Sequence, residues 1–126
     1  MRIGLRARLV IVTMCAWSTL IAEEPDEGFV ACNIGPVVRV FGGNEWNIFS
    51  CTAPDQLVVV SAPGNPAMPF YFVLYIEDGE RRLSGEGNGS KEASAAAYED
   101  LQLIAKSEER IAALIAETRN APGAAE

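Results

Sequence analysis

The order of elements along the chain predicts an α+β domain: an antiparallel four- or five-stranded meander sheet with two C-terminal helices packed on one face. Three observations carry this reading. Between Val37 and Gly87, short runs of β-branched and aromatic residues alternate with clusters of Gly, Pro, Asn and Asp, the punctuation of strands joined by turns. From Ser90 the composition shifts to alanine, with apolar residues at helical spacing. All strands precede all helices, which favours helices gathered on one face of an antiparallel sheet over alternating βαβ units.

Taken in order, residues 23–28 are acidic, contain Pro25 and Gly28, and read as a loose leader. Phe29–Cys32 reads as a short first strand and Asn33–Pro36 as a break. Val37–Phe41 (VVRVF) is a strand by its β-branched content. Gly42, Gly43 and Asn44 tolerate positive φ and form the turn to a returning strand, Trp46–Cys51. After the turn TAPD comes a strand over Gln56–Ala62. Phe70–Glu77 (FYFVLYIE) is the strongest strand: Phe70, Phe72, Leu74 and Ile76 form an apolar face expected in the core, while Tyr71, Val73 and Tyr75 form an amphipathic outer face. Asp78-Gly79 makes a tight turn, and the charges of Arg81–Gly87 suit a sheet edge. Ser90 and Ser107 are the expected N-caps of two helices. The first buries Ala93, Ala97, Leu101 and Ile104. The second carries Glu108 and Glu109 in its positive first turn and an apolar stripe of Ile111, Leu114, Ile115 and Thr118. The domain is expected over residues 23–119, with 120–126 a frayed tail.

Residues 1–22 have the layout of a secretory signal: Arg2, Arg6 and Arg8, an apolar run from Leu9, and Ala22 followed at once by Glu23 and Glu24. Cleavage is expected after Ala22, with a cut after Ser18 as the alternative. The apolar stretch is short for a transmembrane span, which needs about 20 residues, although an anchored N-terminal helix is a competing reading. Lipidation of Cys15 is disfavoured by the large Met14 before it. The expected localisation is exported, periplasmic or extracellular.

Export changes two balances. Three of the 10 basic residues and none of the 17 acidic ones lie in residues 1–22, so the net charge moves from −7 to −10. Such a chain repels nucleic acid and anionic lipid heads, so neither is an expected partner; a protein partner chosen by charge would be basic. The simpler role of the charge is solubility. Three cysteines become two, and Cys32 and Cys51 are expected to form one disulfide, as even pairs do in exported domains.

Histidine is absent, so there is no Ser-His-Asp triad, no Cys-His pair and no imidazole ligand. The acidic clusters lack the D-x-D-x-D-G calcium pattern, and neither metal nor cofactor is expected. A hydrolase built on two carboxylates, such as Glu77 and Glu86, needs a deep cleft that roughly 100 residues rarely build beside a core. Ser84–Lys91 (SGEGNGSK) alternates Gly85, Gly87 and Gly89 between a strand and a helix. It misses the phosphate-loop spacing, because Ser90 separates the last glycine from Lys91, and it reads as a flexible connector. Asn88–Ser90 matches a glycosylation sequon, which matters only in a secretory system that glycosylates.

Ser61–Phe70 (SAPGNPAMPF) places Pro63, Pro66 and Pro69 at every third residue, the period of a polyproline II helix. The ribbon is either a docking edge or a strut on the protein's own body. The expectation is a strut with a type II turn at Pro63-Gly64, with Met68 packed inward against Trp46 or Tyr71 and the proline edge partly exposed. The function expected is a small, non-catalytic, exported module that binds a protein or peptide, of inhibitor or accessory type, as a monomer or weak dimer. Its candidate binding surface is Pro63, Pro66, Met68, Pro69, Trp46, Tyr71 and Tyr75. The alternative is a small-ligand or sugar-binding module using Trp46, Tyr71 and Tyr75 on an uncovered outer sheet face; a lone strand tryptophan is, however, more often core.

Overall fold

The computed structural model describes residues 31–122. Five strands run β1 (Ile34–Phe41), β2 (Asn44–Ser50), β3 (Leu57–Ser61), β4 (Phe70–Glu77) and β5 (Glu80–Gly87). They pair in chain order, each antiparallel to the next. Two helices follow, α1 (Lys91–Ala105) and α2 (Glu108–Arg119). The fold is the α+β meander expected from the order of its elements. The expected signal segment, residues 1–22, and the cleavage expected after Ala22 lie outside the described residues.

Side chains sort by the period of two along each strand. Trp46, Ile48, Leu57, Val59, Phe72 and Leu74 are buried against Ala93, Ala97, Leu101, Ile104, Ile111 and Leu114 of the helices. Small alanines let α1 approach the sheet. The β1–β2 hairpin tip comes so close that a Cβ on Gly42 would sit 2.6 Å from the Ala97 nitrogen. The Gly42 N–H also donates to Asp100 Oδ2 of α1 at 2.7 Å. Gly42 and Gly43 have φ of 62° and 83°, which only a two-residue turn with both centres left-handed requires, and glycine takes it without Cβ strain. Ser90 and Ser107 cap the helices as expected, accepting from the Ala93 and Arg110 N–H groups. Thr118 is fully buried and its hydroxyl lies 2.7 Å from that of Ser50, tying α2 to the end of β2.

Three expectations for the sheet need correction. Ala31–Asn33 are not strand, and Phe29 and Val30 lie outside the described residues. The anticipated break at Asn33–Pro36 is instead the irregular start of β1: Ile34 pairs with Ser50, and the register shifts before Val37. A positive φ at Gly35 and a close approach of its Cα to the Ile48 carbonyl accommodate the shift. Ile76 is 48% exposed, because it lies at the hairpin end of β4 opposite Arg81, past the helix-covered part of the sheet. Cys32 and Cys51 are joined, with Cα atoms 3.8 Å apart, inside the limit of about 7 Å for a bridge. The bond closes the open end of the β1–β2 hairpin, where the Thr52 N–H donates to Ala31 O.

Candidate functional site

The proline ribbon is not a polyproline II helix. It is two tight turns in succession. The Asn65 N–H donates to Ala62 O at 3.0 Å across Pro63-Gly64, with Gly64 at φ 91°, the type II turn expected there. The Met68 N–H then donates to Asn65 O at 3.0 Å across Pro66-Ala67. Polyproline II has no internal hydrogen bonds, so the period of three reports turn spacing here instead.

Asn65 holds both turns to the sheet. Its Nδ2 donates to Glu45 O at 2.8 Å, and its Oδ1 accepts from the Ala67 N–H at 2.9 Å. Asn65 and Ala67 are buried, whereas Pro63, Pro66 and Pro69 are exposed. Met68 does not pack inward as expected; it is 48% exposed, and Ala67 takes the inward position. The reason is room. The β5–α1 connector lies against the ribbon, with the Ser90 N–H donating to Pro66 O and the Asn88 N–H to Pro69 O. Ala67, fully buried, is the residue beneath this contact.

That contact explains Gly87 and Gly89, and packing against β4 explains Gly85. A Cβ on Gly89 would lie 2.0 Å from Ala67 O, one on Gly87 2.3 Å from Pro69 O, and one on Gly85 2.6 Å from the Phe72 ring. Close approach accounts for these residues, in place of the flexible connector anticipated from composition.

Trp46 is not part of any surface. It is fully buried on the helix side of β2, its Nε1 donating to Phe41 O at 3.1 Å and its ring 5.3 Å from that of Phe72 and 6.4 Å from that of Phe70. The strand alternation sends it to the face opposite Tyr71 and Tyr75, so the aromatic trio anticipated for the outer face is reduced to a pair on one strand. Tyr71 is exposed and Tyr75 half-buried.

Among the described residues, no helix packs on that outer face. Its central row runs Phe49, Val58, Val73 and Ser84 across four strands, with Val60 and Tyr71 adjacent in the next row. At one end of the face the ribbon stands up as a wall and encloses a groove of about 550 Å³. Val60 and Tyr71, cross-strand partners, form its floor. Met68 and Pro69 form the ribbon side, and Glu86, Gly87 and Asn88 the β5 side. Glu86 is the one ionisable carboxylate among the lining residues. The Tyr71 hydroxyl donates to Glu86 Oε1 at 2.9 Å. That bond, the negative charge of Glu86 and a little desolvation raise the phenol above its ordinary range.

The groove thus brings together Met68, Pro69 and Tyr71 of the expected surface and leaves out Pro63, Pro66, Trp46 and Tyr75. Composition did not point to Val60, Glu86, Gly87 or Asn88 as groove-lining residues; the only sign was that Glu86 sits in the sheet-edge strand directly before the connector. The two carboxylates weighed for hydrolysis do not share a cleft. Glu86 pairs with Tyr71, and Glu77 lies six residues farther along β4, roughly 20 Å away at strand spacing.

Compared with protein-family models, with curated proteins and with solved structures, the chain matches none.

Proposed function

We propose that the chain is a small, exported, non-catalytic module that binds a protein or peptide partner, and that the groove between the ribbon and β5 is where it does so. The observation that carries this reading is the groove itself: an apolar, half-open recess with one carboxylate, continuous with a sheet face that no described helix covers. Interaction sites on small soluble domains have this character. Rigid walls favour the reading, since Asn65 and the close-packed glycines hold both sides in place before any partner arrives, which lowers the ordering cost of binding. The disulfide between Cys32 and Cys51 supports export to an oxidising compartment.

A small-ligand or sugar-binding role is the second reading. It is favoured by the uncovered face and by a groove volume inside the usual range for small molecules, about 300–1,000 Å³. The groove's few hydrogen-bonding side chains, one of them already engaged with Tyr71, weigh against a sugar.

The test is selection from a random-peptide display library on the purified exported protein, followed by amide chemical-shift mapping. Selected peptides are expected to shift Val60, Met68, Tyr71 and Glu86. Met68→Ala should weaken binding about tenfold, the scale of a buried anchor, while leaving the melting temperature unchanged because Met68 is exposed. Shifts confined to another surface, or a Met68→Ala variant that binds normally, would refute the site.

A further inference from the structure

The groove opens onto a sheet edge, and the two halves of that edge differ. β5 is the outermost strand beside β4. Its first half is charged: Arg82 pairs with Glu77 and Glu80, and the Arg81 guanidinium reaches Asp55 O and Glu108. Charges of this kind discourage further strand pairing. Its second half, Ser84–Gly87, is exposed throughout and carries Glu86 as its single charge.

The antiparallel ladder decides which backbone groups face outward there. The Asn88 N–H donates inward to Pro69 O, which makes Pro69 and Asn88 a hydrogen-bonded pair. Alternation along the ladder then makes Phe70–Gly87 and Phe72–Gly85 non-hydrogen-bonded pairs. The N–H and C=O groups of Gly85 and Gly87 therefore point away from β4, into the open edge. Neither residue has a side chain to shield them.

We infer that the partner binds by strand addition: an extended segment of a second protein pairs with Gly85 and Gly87 as a sixth strand and places a lysine or arginine against Glu86. This rests on the groove reading above and specifies its partner. Main-chain bonds to alternate residues hold the backbone, and side chains on the groove side carry the specificity, as in other strand-addition complexes. Charge complementarity selects the basic residue, because Glu86 is the one carboxylate at this end of the edge and the chain as a whole is at −7. The aliphatic stem of that residue lies across the exposed Tyr71 ring, with its cationic head over the Tyr71–Glu86 hydrogen bond. Residues of the segment next to it on the same side are apolar and meet Met68 and Pro69.

The experiment uses the display-selected peptides bound to the purified exported protein. Amide exchange at Gly85 and Gly87 should slow on binding. N-methylation of the peptide should abolish binding at alternate positions and be tolerated at those between. Glu86→Gln should weaken peptides carrying the basic residue by about tenfold, the scale of a charge-assisted hydrogen bond, and leave versions with that residue replaced by alanine unaffected. Peptides that shift Val60, Met68 and Tyr71 while exchange at Gly85 and Gly87 stays unchanged and every N-methylation is tolerated would overturn strand addition and leave the groove standing. A library that yields no binder perturbing the groove would overturn both.

Discussion

Replacing Asn65 with alanine tests the account of the ribbon directly. The amide makes two hydrogen bonds from a buried position, one to Glu45 O and one from the Ala67 N–H. The Glu45 carbonyl keeps a second donor, the Ala62 N–H at 3.2 Å. The Ala67 N–H has no such reserve, and Ala67 is fully buried. Stranding a buried donor costs about 1–3 kcal/mol, and losing the second hydrogen bond about 1 kcal/mol. The expected destabilisation is therefore about 3 kcal/mol, a fall in melting temperature of roughly 12–24 °C for a domain of this size. Chemical denaturation of the purified protein measures it. Asn65→Asp separates the two bonds: it keeps the acceptor for Ala67 but sets a carboxylate against the Glu45 carbonyl. A loss below about 0.5 kcal/mol for Asn65→Ala, within the range of an ordinary surface substitution, would refute the claim that Asn65 holds the ribbon down.

Gly42→Ala should cost at least about 2 kcal/mol, from left-handed strain and the contact with Ala97, whereas Gly43→Ala, with open space around it, should cost only the conformational part, about 1–2 kcal/mol; equilibrium unfolding of both separates the terms. Replacing Cys32 and Cys51 together with serine should lower stability by about 3 kcal/mol, the loop-closure estimate for a separation of 19 residues, and denaturation with and without reductant checks it. Arg81 hydrogen-bonds Glu108 and lowers its pKa against a smaller opposing desolvation, so its contribution is present above the ordinary carboxylate range and is lost as pH falls through the lowered value; Glu108→Gln should flatten that part of the acid limb. The raised Tyr71 phenol runs the other way: its contribution is present below the ordinary value of about 10 and disappears as pH rises through the raised one, and Glu86→Gln should bring its ultraviolet titration back down.

Much of the fold was legible in the chain because it depends on neighbours a few residues apart. The alternation in Phe70–Glu77, the paired glycines at 42 and 43, the Asp78-Gly79 turn and the serines at 90 and 107 each impose a local conformation that the surroundings did not need to override. The apolar stripes of both helices were readable for the same reason. The candidate site was legible only in part. Met68, Pro69 and Tyr71 stand out by type, but which of the ribbon's residues faces inward depends on the connector from β5, some 20 residues later, and that contact admits Ala67 and turns Met68 out.

Local pattern therefore determined the meander, its turns, the two helices and their caps, because hydrogen-bond and side-chain periodicities are properties of short segments. Tertiary structure decided that Trp46 lies inside, since Phe70 and Phe72 from a distant strand close over it. It decided that the ribbon folds into turns pinned by Asn65, and that Glu86, Gly87 and Asn88 line a groove. These outcomes rest on contacts between segments far apart in the chain, where excluded volume and the pairing of buried polar groups select the arrangement, and no spacing within one segment records them.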